Sequence, residues 1–468
     1  MKRSKEKSSP SPTFPPLNPY SVARWSGATD SETEEEARLR LQAMQDAINV
    51  SRGIDIMLQE SKRDMERRRK GVKILLLGQS ESGKSSVLKN FQLAFAPRHF
   101  ESERPIWKIV IQLNIIGSIK TILEALREEY EPNGQVTTPI DISPNSPLRT
   151  LRRMTLGLSP LFFIETNLLK ILSPESTDSR DMSVRAGNGW KALLKARRDP
   201  FASGDHHSTR RRSQALLGQE NDPSSVLLGQ RDDIISLWQN PETQEILHRR
   251  RPLFRDQPGF FMDDIARIIT PDYVPTDRDI IRARLRTTGI EEYRFVAENP
   301  GGLNSDFYIT DVGGSRSQRA SWAPFFDDVQ AILFLAPLAF NQMLDEDRRV
   351  NRLEDSLWLW KDICSNRLLQ NANLILFFNK RDVLAATLAA GVKVKKFVPT
   401  YGDLPNDVPH VTKYFKEKFR FSHKRFSPDA RPFICHETSA IDIKAMTVLL
   451  TGVREAILRQ HLRNGDML

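Results

Sequence analysis

Short apolar runs punctuate an otherwise polar chain, and between them apolar residues recur at helical spacing. Val72 to Leu77 is a continuous apolar strand apart from Lys73, and it runs straight into Gly78-Gln79-Ser80-Glu81-Ser82-Gly83-Lys84-Ser85. Later runs are Phe307 to Thr310, Val329 to Leu335, Asn373 to Phe378 and Pro432 to Cys435. Strands of this kind alternating with helical patterns predict an α/β fold, a parallel sheet with helices on both faces. Ahead of them, Ala37, Leu41, Met44 and Ile48 recur at helical intervals. They predict an amphipathic helix from about Ser31, with Glu34 completing a capping box, to Lys70. Its apolar face needs a cover, and a partner protein is the expected one. The spacing of Ile109, Leu113 and Ile116 is helical, as is the stretch Asp233 to Leu247 with Trp238 on its apolar side. A last helix is expected from about Asp442 to Leu462, with Met446, Leu449, Val453 and Ile457 on one face.

Composition sets the edges of this picture. Residues 1–30 are rich in Ser, Pro and Lys and read as a disordered tail. Residues 173–225 turn polar and irregular, with basic clusters at Lys195 to Arg198 and Arg210 to Arg212, and read as a disordered insertion. A hydrophobic content of 39% is enough for packed cores, while a mean hydropathy of −0.45 and 28 prolines imply that a sizeable fraction is not packed. The two cysteines, Cys364 and Cys435, offer neither a disulfide framework nor a metal-ligand spacing, as expected in a reducing cytosol. Apolar runs such as Ala331 to Ala336 are too short to span a bilayer, and the N-terminus does not read as a signal peptide. The net charge of +10 fits solubility, an anionic ligand or an anionic membrane surface; with no nucleic-acid-binding signature beside it, nucleic acid is not an expected partner.

The chemistry sits at the ends of the predicted strands. Gly78 to Ser85 satisfies G-x-x-x-x-G-K-[ST] between a strand and a helix. Its glycines let backbone N–H groups converge on phosphate oxygens, and the helix N-terminus adds a favourable dipole. Lys84 is placed for β and γ phosphates, and the Ser85 hydroxyl for Mg²⁺. This loop alone does not separate ATP from GTP. Asn379-Lys380-Arg381-Asp382 follows the strand ending at Phe378. A carboxylate there can accept from both N1–H and the exocyclic amine of guanine, a donor pair that adenine lacks. Asp311-Val312-Gly313-Gly314 also ends a strand, where an acid can hold a Mg²⁺ water and Gly314 can bring a backbone N–H close to a γ-phosphate.

With Arg284-Leu285-Arg286-Thr287-Thr288-Gly289 added, the chain resembles the alpha subunits of heterotrimeric G proteins. The stretches carrying the resemblance are Gly78 to Ser85, Asp279 to Gly289, Asp311 to Trp322, Phe377 to Asp382 and His436 to Asp442, in that order. Lys84 and Thr287 stand 203 positions apart, which leaves room for a whole inserted domain. The resemblance implies a P-loop, Ras-like GTPase domain with a mostly parallel six-stranded sheet (71–95 and 285–468). It also implies an inserted all-helical domain (96–284) and the N-terminal helix (31–70). It implies that Glu81, Ser82, Gly83, Lys84, Ser85 and Ser86 wrap the phosphates, and that Ile281, Arg282 and Thr287 complete the site around them. Ser85 and Thr287 would ligate Mg²⁺, and Arg284 would neutralise charge on the transferred phosphoryl group. Asp311 and Gly314 would sense the γ-phosphate. Asn379, Lys380 and Asp382, with the backbone of Ala440, would read the guanine of GTP or GDP. The implied partners are a beta-gamma dimer, a seven-helix receptor, an effector and a GTPase-accelerating protein.

Two positions depart from the family pattern. Ser315 stands where the family carries the water-orienting Gln, and Ser80 stands where it carries Gly. Both changes imply that GTP binding survives while hydrolysis is slow. The family's usual lipid anchors are also missing: position 2 is Lys, no cysteine precedes Cys364, and no prenylation box is found. Peripheral contact with the inner face of the plasma membrane, from the cytoplasm, would then rest on partners and on basic residues such as Lys2, Arg3, Lys5, Lys7 and Arg67 to Lys70, at about 1 kcal/mol each. A self-resetting receptor-coupled switch is the first reading; a GTP-loaded scaffold that rarely turns over is the alternative. The guanine motif argues against a P-loop kinase or ATPase.

Overall fold

The computed structural model describes residues 33–131, 147–172, 183–185, 223–252, 254–296 and 306–464. The expected N-terminal tail, the start of the first helix at Ser31 and the two basic clusters of the insertion lie outside them. The chain divides into two compact units, Met1–Arg69 and Lys70–Leu468. The first is described by one long helix, α1 (Glu34–Lys70), along which Leu41, Val50, Met57 and Met65 are exposed.

The second unit opens with β1 (Val72–Gly78), α2 (Lys84–Phe95), α3 (Pro97–Tyr130), α4 (Pro147–Gly157), α5 (Ser159–Leu172) and β2 (Ser183–Arg185). Then come α6 (Pro223–Gly229), α7 (Arg231–Gln239), α8 (Pro241–Arg250), α9 (Ile265–Ile268), α10 (Asp277–Arg282) and β3 (Arg286–Thr288). Next are β4 (Ile290–Val296), β5 (Asp306–Val312), β6 (Ala331–Pro337), α11 (Arg352–Ser365) and β7 (Asn373–Asn379). The unit ends with α12 (Arg381–Ala389), α13 (Val408–Phe426), β8 (Ile434–Glu437) and α14 (Ile443–Asn464).

Six strands form one sheet in the order β4-β5-β1-β6-β7-β8, parallel except for the edge strand β4. The apolar runs are buried on both faces, as a parallel sheet demands. Along β1, Ile74 and Leu76 pack with α2 and α14 through Val87, Phe91, Met446 and Leu450. Leu75 and Leu77 face the other way, toward Trp360 of α11 and Phe415 and Phe419 of α13. Leu76 lies level with Asp311 on β5, and Gly78 with Leu335 on β6. The chemistry-bearing loops therefore leave one edge of the sheet together. A separate core forms around α3, from Phe100 to Leu126, packed by α5, α7, α8 and the segment from Phe254 to Ala283. By length and composition, α3 is apolar enough to cross a bilayer, but 61% of its most apolar 18-residue window is buried inside the protein.

Three expectations need correction. The stretch Asp233 to Leu247 is two helices, because Pro241 starts a new one and the Asn240 side chain accepts from the Glu242 and Thr243 N–H groups. Within the expected disordered insertion, Ser183–Arg185 pair in parallel with β3, and α6 begins at Pro223; the rest of it lies outside the described residues. On α14 it is Leu450 that is fully buried, with Leu449 only partly so.

Candidate functional site

A cleft of about 1030 Å³ opens where the sheet's C-terminal edge meets the helical core. Every site residue named from the sequence lines it except Ser82 and Thr287. Thr287 lies on β3, whose side chains are outside the described residues.

The P-loop is held by contacts that leave no room for larger residues. Gly83 adopts a left-handed backbone (φ 101°), and a Cβ there would stand 2.1 Å from Asn379 Nδ2. Asn379 Nδ2 donates to the Ser82 carbonyl (2.7 Å), and its Oδ1 accepts from the Ala440 N–H (3.0 Å). One side chain thus joins the phosphate loop to the Thr438-Ser439-Ala440 turn. Lys84 Nζ donates to the carbonyls of Gly78 (2.9 Å) and Gln79 (2.7 Å). Burial pushes its ammonium down to about 8 against the pull of Asp311. Burial pushes Asp311 up, with Lys84 and the Ser85 hydroxyl opposing.

Ser85 Oγ donates to Asp311 Oδ2 at 2.8 Å. The second oxygen of Asp311 and the hydroxyl of Ser82 are buried without a protein partner among the described residues. An oxygen-only donor set beside an unsatisfied carboxylate oxygen fits a hard divalent cation such as Mg²⁺. At the other end of the cleft, Asp382 accepts from Ser439 Oγ (2.9 Å). Lys380 sits in left-handed backbone and is pushed down by burial, chiefly against the opposing charge of Glu81. Asp256 faces this end, pushed up by burial while Lys380 holds it down.

Arg284 is fixed from two directions. Its backbone N–H donates to Asn114 Oδ1 and its carbonyl accepts from Asn114 Nδ2, both at 2.8 Å. Its guanidinium pairs with Glu81 at 2.7 Å. The carbonyl of Ile281 accepts from Ser86 Oγ (3.3 Å). Arg282 lines the cleft, yet its guanidinium is held by Asp264 (2.9 Å) and the Phe260 carbonyl (2.8 Å).

Beyond β5 the chain presses on the P-loop. A Cβ at Gly314 would lie 2.3–2.5 Å from the backbone of Gln79 and Ser80. Ser315 is buried, and its Oγ donates to Gln318 Oε1 at 2.7 Å. Arg319 pairs with Asp355 of α11, which also accepts from Gln79 Nε2 (2.7 Å). Glu346 accepts from the Arg316 N–H (2.7 Å) and, at 3.4 Å, from Ser80 Oγ.

Comparison with known proteins decides what this arrangement is. The model of the G-protein alpha subunit family matches residues 48–457. The chain belongs to the G-protein alpha subunit family. The guanine nucleotide-binding protein alpha-4 subunit of Mycosarcoma maydis is 31% identical, over 84% of this chain and 83% of that protein. The guanine nucleotide-binding protein subunit alpha-13 of Mus musculus is 29% identical, over 84% and 86%. A subunit alpha of Candida albicans is 28% identical, over 86% and 91%. The chain is thus a guanine-nucleotide-binding signal transducer of a GTPase family, and the scaffold reading is not favoured. Members of the family bind guanine nucleotides, typically with Mg²⁺, and work with beta-gamma dimers, receptors and effectors.

Sequence reasoning missed the residues that brace this alpha subunit's site: Gln79, Asn114, Asp256, Glu346 and Asp355. Asp345-Glu346-Asp347 forms an acidic run in the sequence, but nothing local ties it to the P-loop. Asn114 carried no signal inside an apolar helix.

Proposed function

We propose that this alpha subunit cycles between GDP and GTP with slow intrinsic hydrolysis, so that the GTP state persists by default. The observation that carries this is the placement of Ser315. Its hydroxyl is spent on Gln318, and the cleft wall includes Gly313 and Gly314 but not Ser315. The residue directly after Gly314 carries no carboxamide to orient an attacking water, and the nearest one, Gln318, accepts from the Ser315 hydroxyl. Ser80 adds a Cβ to the loop that Gly314 touches, and crowds the same space. Mg²⁺, when bound, would neutralise charge on the β and γ phosphates, with Ser85 and Thr287 as its protein ligands. Lys84 would leave the Gly78 and Gln79 carbonyls for phosphate oxygens. Arg284, with its backbone set by Asn114, would exchange Glu81 for the γ-phosphoryl oxygens, which is its catalytic role. Asn379 would hold loop geometry and Asp382 would select guanine.

The same reading places the protein in the cytoplasm at the inner face of the plasma membrane, coupled to a seven-helix receptor, a beta-gamma dimer and an effector. Single-turnover phosphate release from GTP-loaded protein, started with Mg²⁺, tests the hydrolysis. Alpha subunits with an arginine in cis turn over at about 10⁻² s⁻¹. The expected rate here is lower by roughly two orders of magnitude, and Ser315→Gln should raise it. An ordinary rate in the natural protein, or no acceleration in the variant, would overturn the reading.

A further inference from the structure

More than half of the chain's net charge of +10 sits in one short stretch: residues 391–426 hold nine Lys and Arg against three Asp and Glu. All three acids are already engaged. Asp403 pairs with Lys395 (2.6 Å), Asp407 with His410 (2.7 Å) and Glu417 with Arg420 (2.7 Å). Most of this stretch is α13. Its inner face carries Val411, Phe415, Phe419 and His423, all buried, and Trp360 Nε1 of α11 donates to the Phe419 carbonyl. Its outer face has no described cover. There Phe421 is 65% exposed, unusual for an aromatic ring on a helix whose other phenylalanines pack inward.

The neighbours of Phe421 on the helix surface are three and four positions away: Glu417, Lys418, Lys424 and Arg425. All four are exposed, three are basic, and the one acid is neutralised by Arg420. Lys413 lies on the same face, and Lys393, Lys395 and Lys396 are exposed in the segment before α13. We propose that this outer face of α13 is a docking surface for an anionic lipid bilayer. One exposed ring amid long basic side chains on an exposed helix face matches an interface that takes an aromatic side chain at headgroup depth and surrounds it with cations. A protein partner would call for a larger apolar centre than one phenylalanine. The surface lies outside the nucleotide cleft, so the proposal stands apart from the hydrolysis reading.

The test is co-sedimentation of the full chain with vesicles of phosphatidylcholine, alone or with added phosphatidylserine. Binding is expected only with phosphatidylserine, and it should weaken with added salt. Lys418→Glu with Lys424→Glu should lower the partition by about tenfold or more. Phe421→Ser should lower it several-fold at unchanged salt sensitivity. GTP binding should be unchanged in both, which shows that they are folded. Arg67→Glu with Arg68→Glu serves as the comparison for the basic end of α1. Equal partition of the α13 variants and the natural protein, or loss confined to the α1 variant, would overturn the proposal. So would preference for an RNA oligonucleotide or an acidic polypeptide over the vesicles.

Discussion

Arg319 grips Asp355 with both ends of its guanidinium, at 3.0 and 2.5 Å. The carboxylate is buried, and Gln79 Nε2 donates to it from the P-loop at 2.7 Å. One acid of α11 therefore ties the segment after Gly314 to the phosphate loop. Asp355→Asn keeps the shape and removes the charge, which leaves Arg319 half-paired. Thermal unfolding should show a loss of about 3 kcal/mol, the lower end for breaking a buried pair because Arg319 keeps some solvent. Trp322, whose indole donates to the Gly313 carbonyl within the same segment, is expected to change its emission when GTP binds the natural protein, and that response should be lost in the variant. Unchanged melting together with an unchanged emission response would sink this role for Asp355.

Gly314 marks where the two loops touch. A methyl group there would stand 2.3–2.5 Å from Gln79 and Ser80 backbone atoms, closer than real Cβ contacts come. Gly314→Ala must push the segment off the P-loop. GDP affinity is expected to hold, because the clash falls on Gln79 and Ser80, while the base site and the stretch from Glu81 to Ser86 are not among the atoms it meets. The GTP-dependent change in Trp322 emission is expected to vanish. A full emission change in the variant would show that the segment's response to GTP does not need this contact.

Much of this was legible before the structure, because the decisive signals are local. Gly78 to Ser85 is read from eight consecutive residues, and the strands around it from uninterrupted apolar runs. What was not legible depends on distant pairs. Gln79 and Asp355 are 276 positions apart, and Asn114 and Arg284 are 170 apart. Neither pair leaves a trace in periodicity. β4 was missed at the residue level for another reason. Only Tyr293 and Phe295 of its inward positions are aromatic, and Glu291 and Glu292 dilute the alternation of an edge strand. The break between α7 and α8 did have a signal, Asn240-Pro241, but the apolar spacing continued across it and masked the stop.

Asp382 offers a test of base selection. One of its oxygens accepts from Ser439 Oγ, which orients the carboxylate. Guanine presents two donors to such a group, whereas xanthine presents an acceptor in place of the amine. Asp382→Asn should lower GTP affinity by roughly 10²-fold or more and raise that for XTP. Competition of the two nucleotides against a labelled analogue measures both. Retained GTP preference would move base selection to another residue.

His423 gives a pH prediction far from the cleft. It is 3% exposed, stacked on Trp360 (centroids 6.0 Å apart) and set against Phe433 (5.5 Å). Burial, helped by the charge of Arg431, pushes its imidazole down to about 4. The folded ring thus stays neutral over a range in which the unfolded one takes up a proton. The stabilisation is complete above the unfolded value of about 6.5 and is lost as pH falls toward 4, by up to about 3 kcal/mol. Carboxylates add their own slope lower in that window, so the informative quantity is a difference. His423→Phe keeps a ring against Trp360 and removes the titration. Urea unfolding between about pH 6.5 and 4 should be flatter for the variant than for the natural protein, with the two curves separating toward the acid end. Parallel curves over that window would show that His423 does not carry the acid sensitivity.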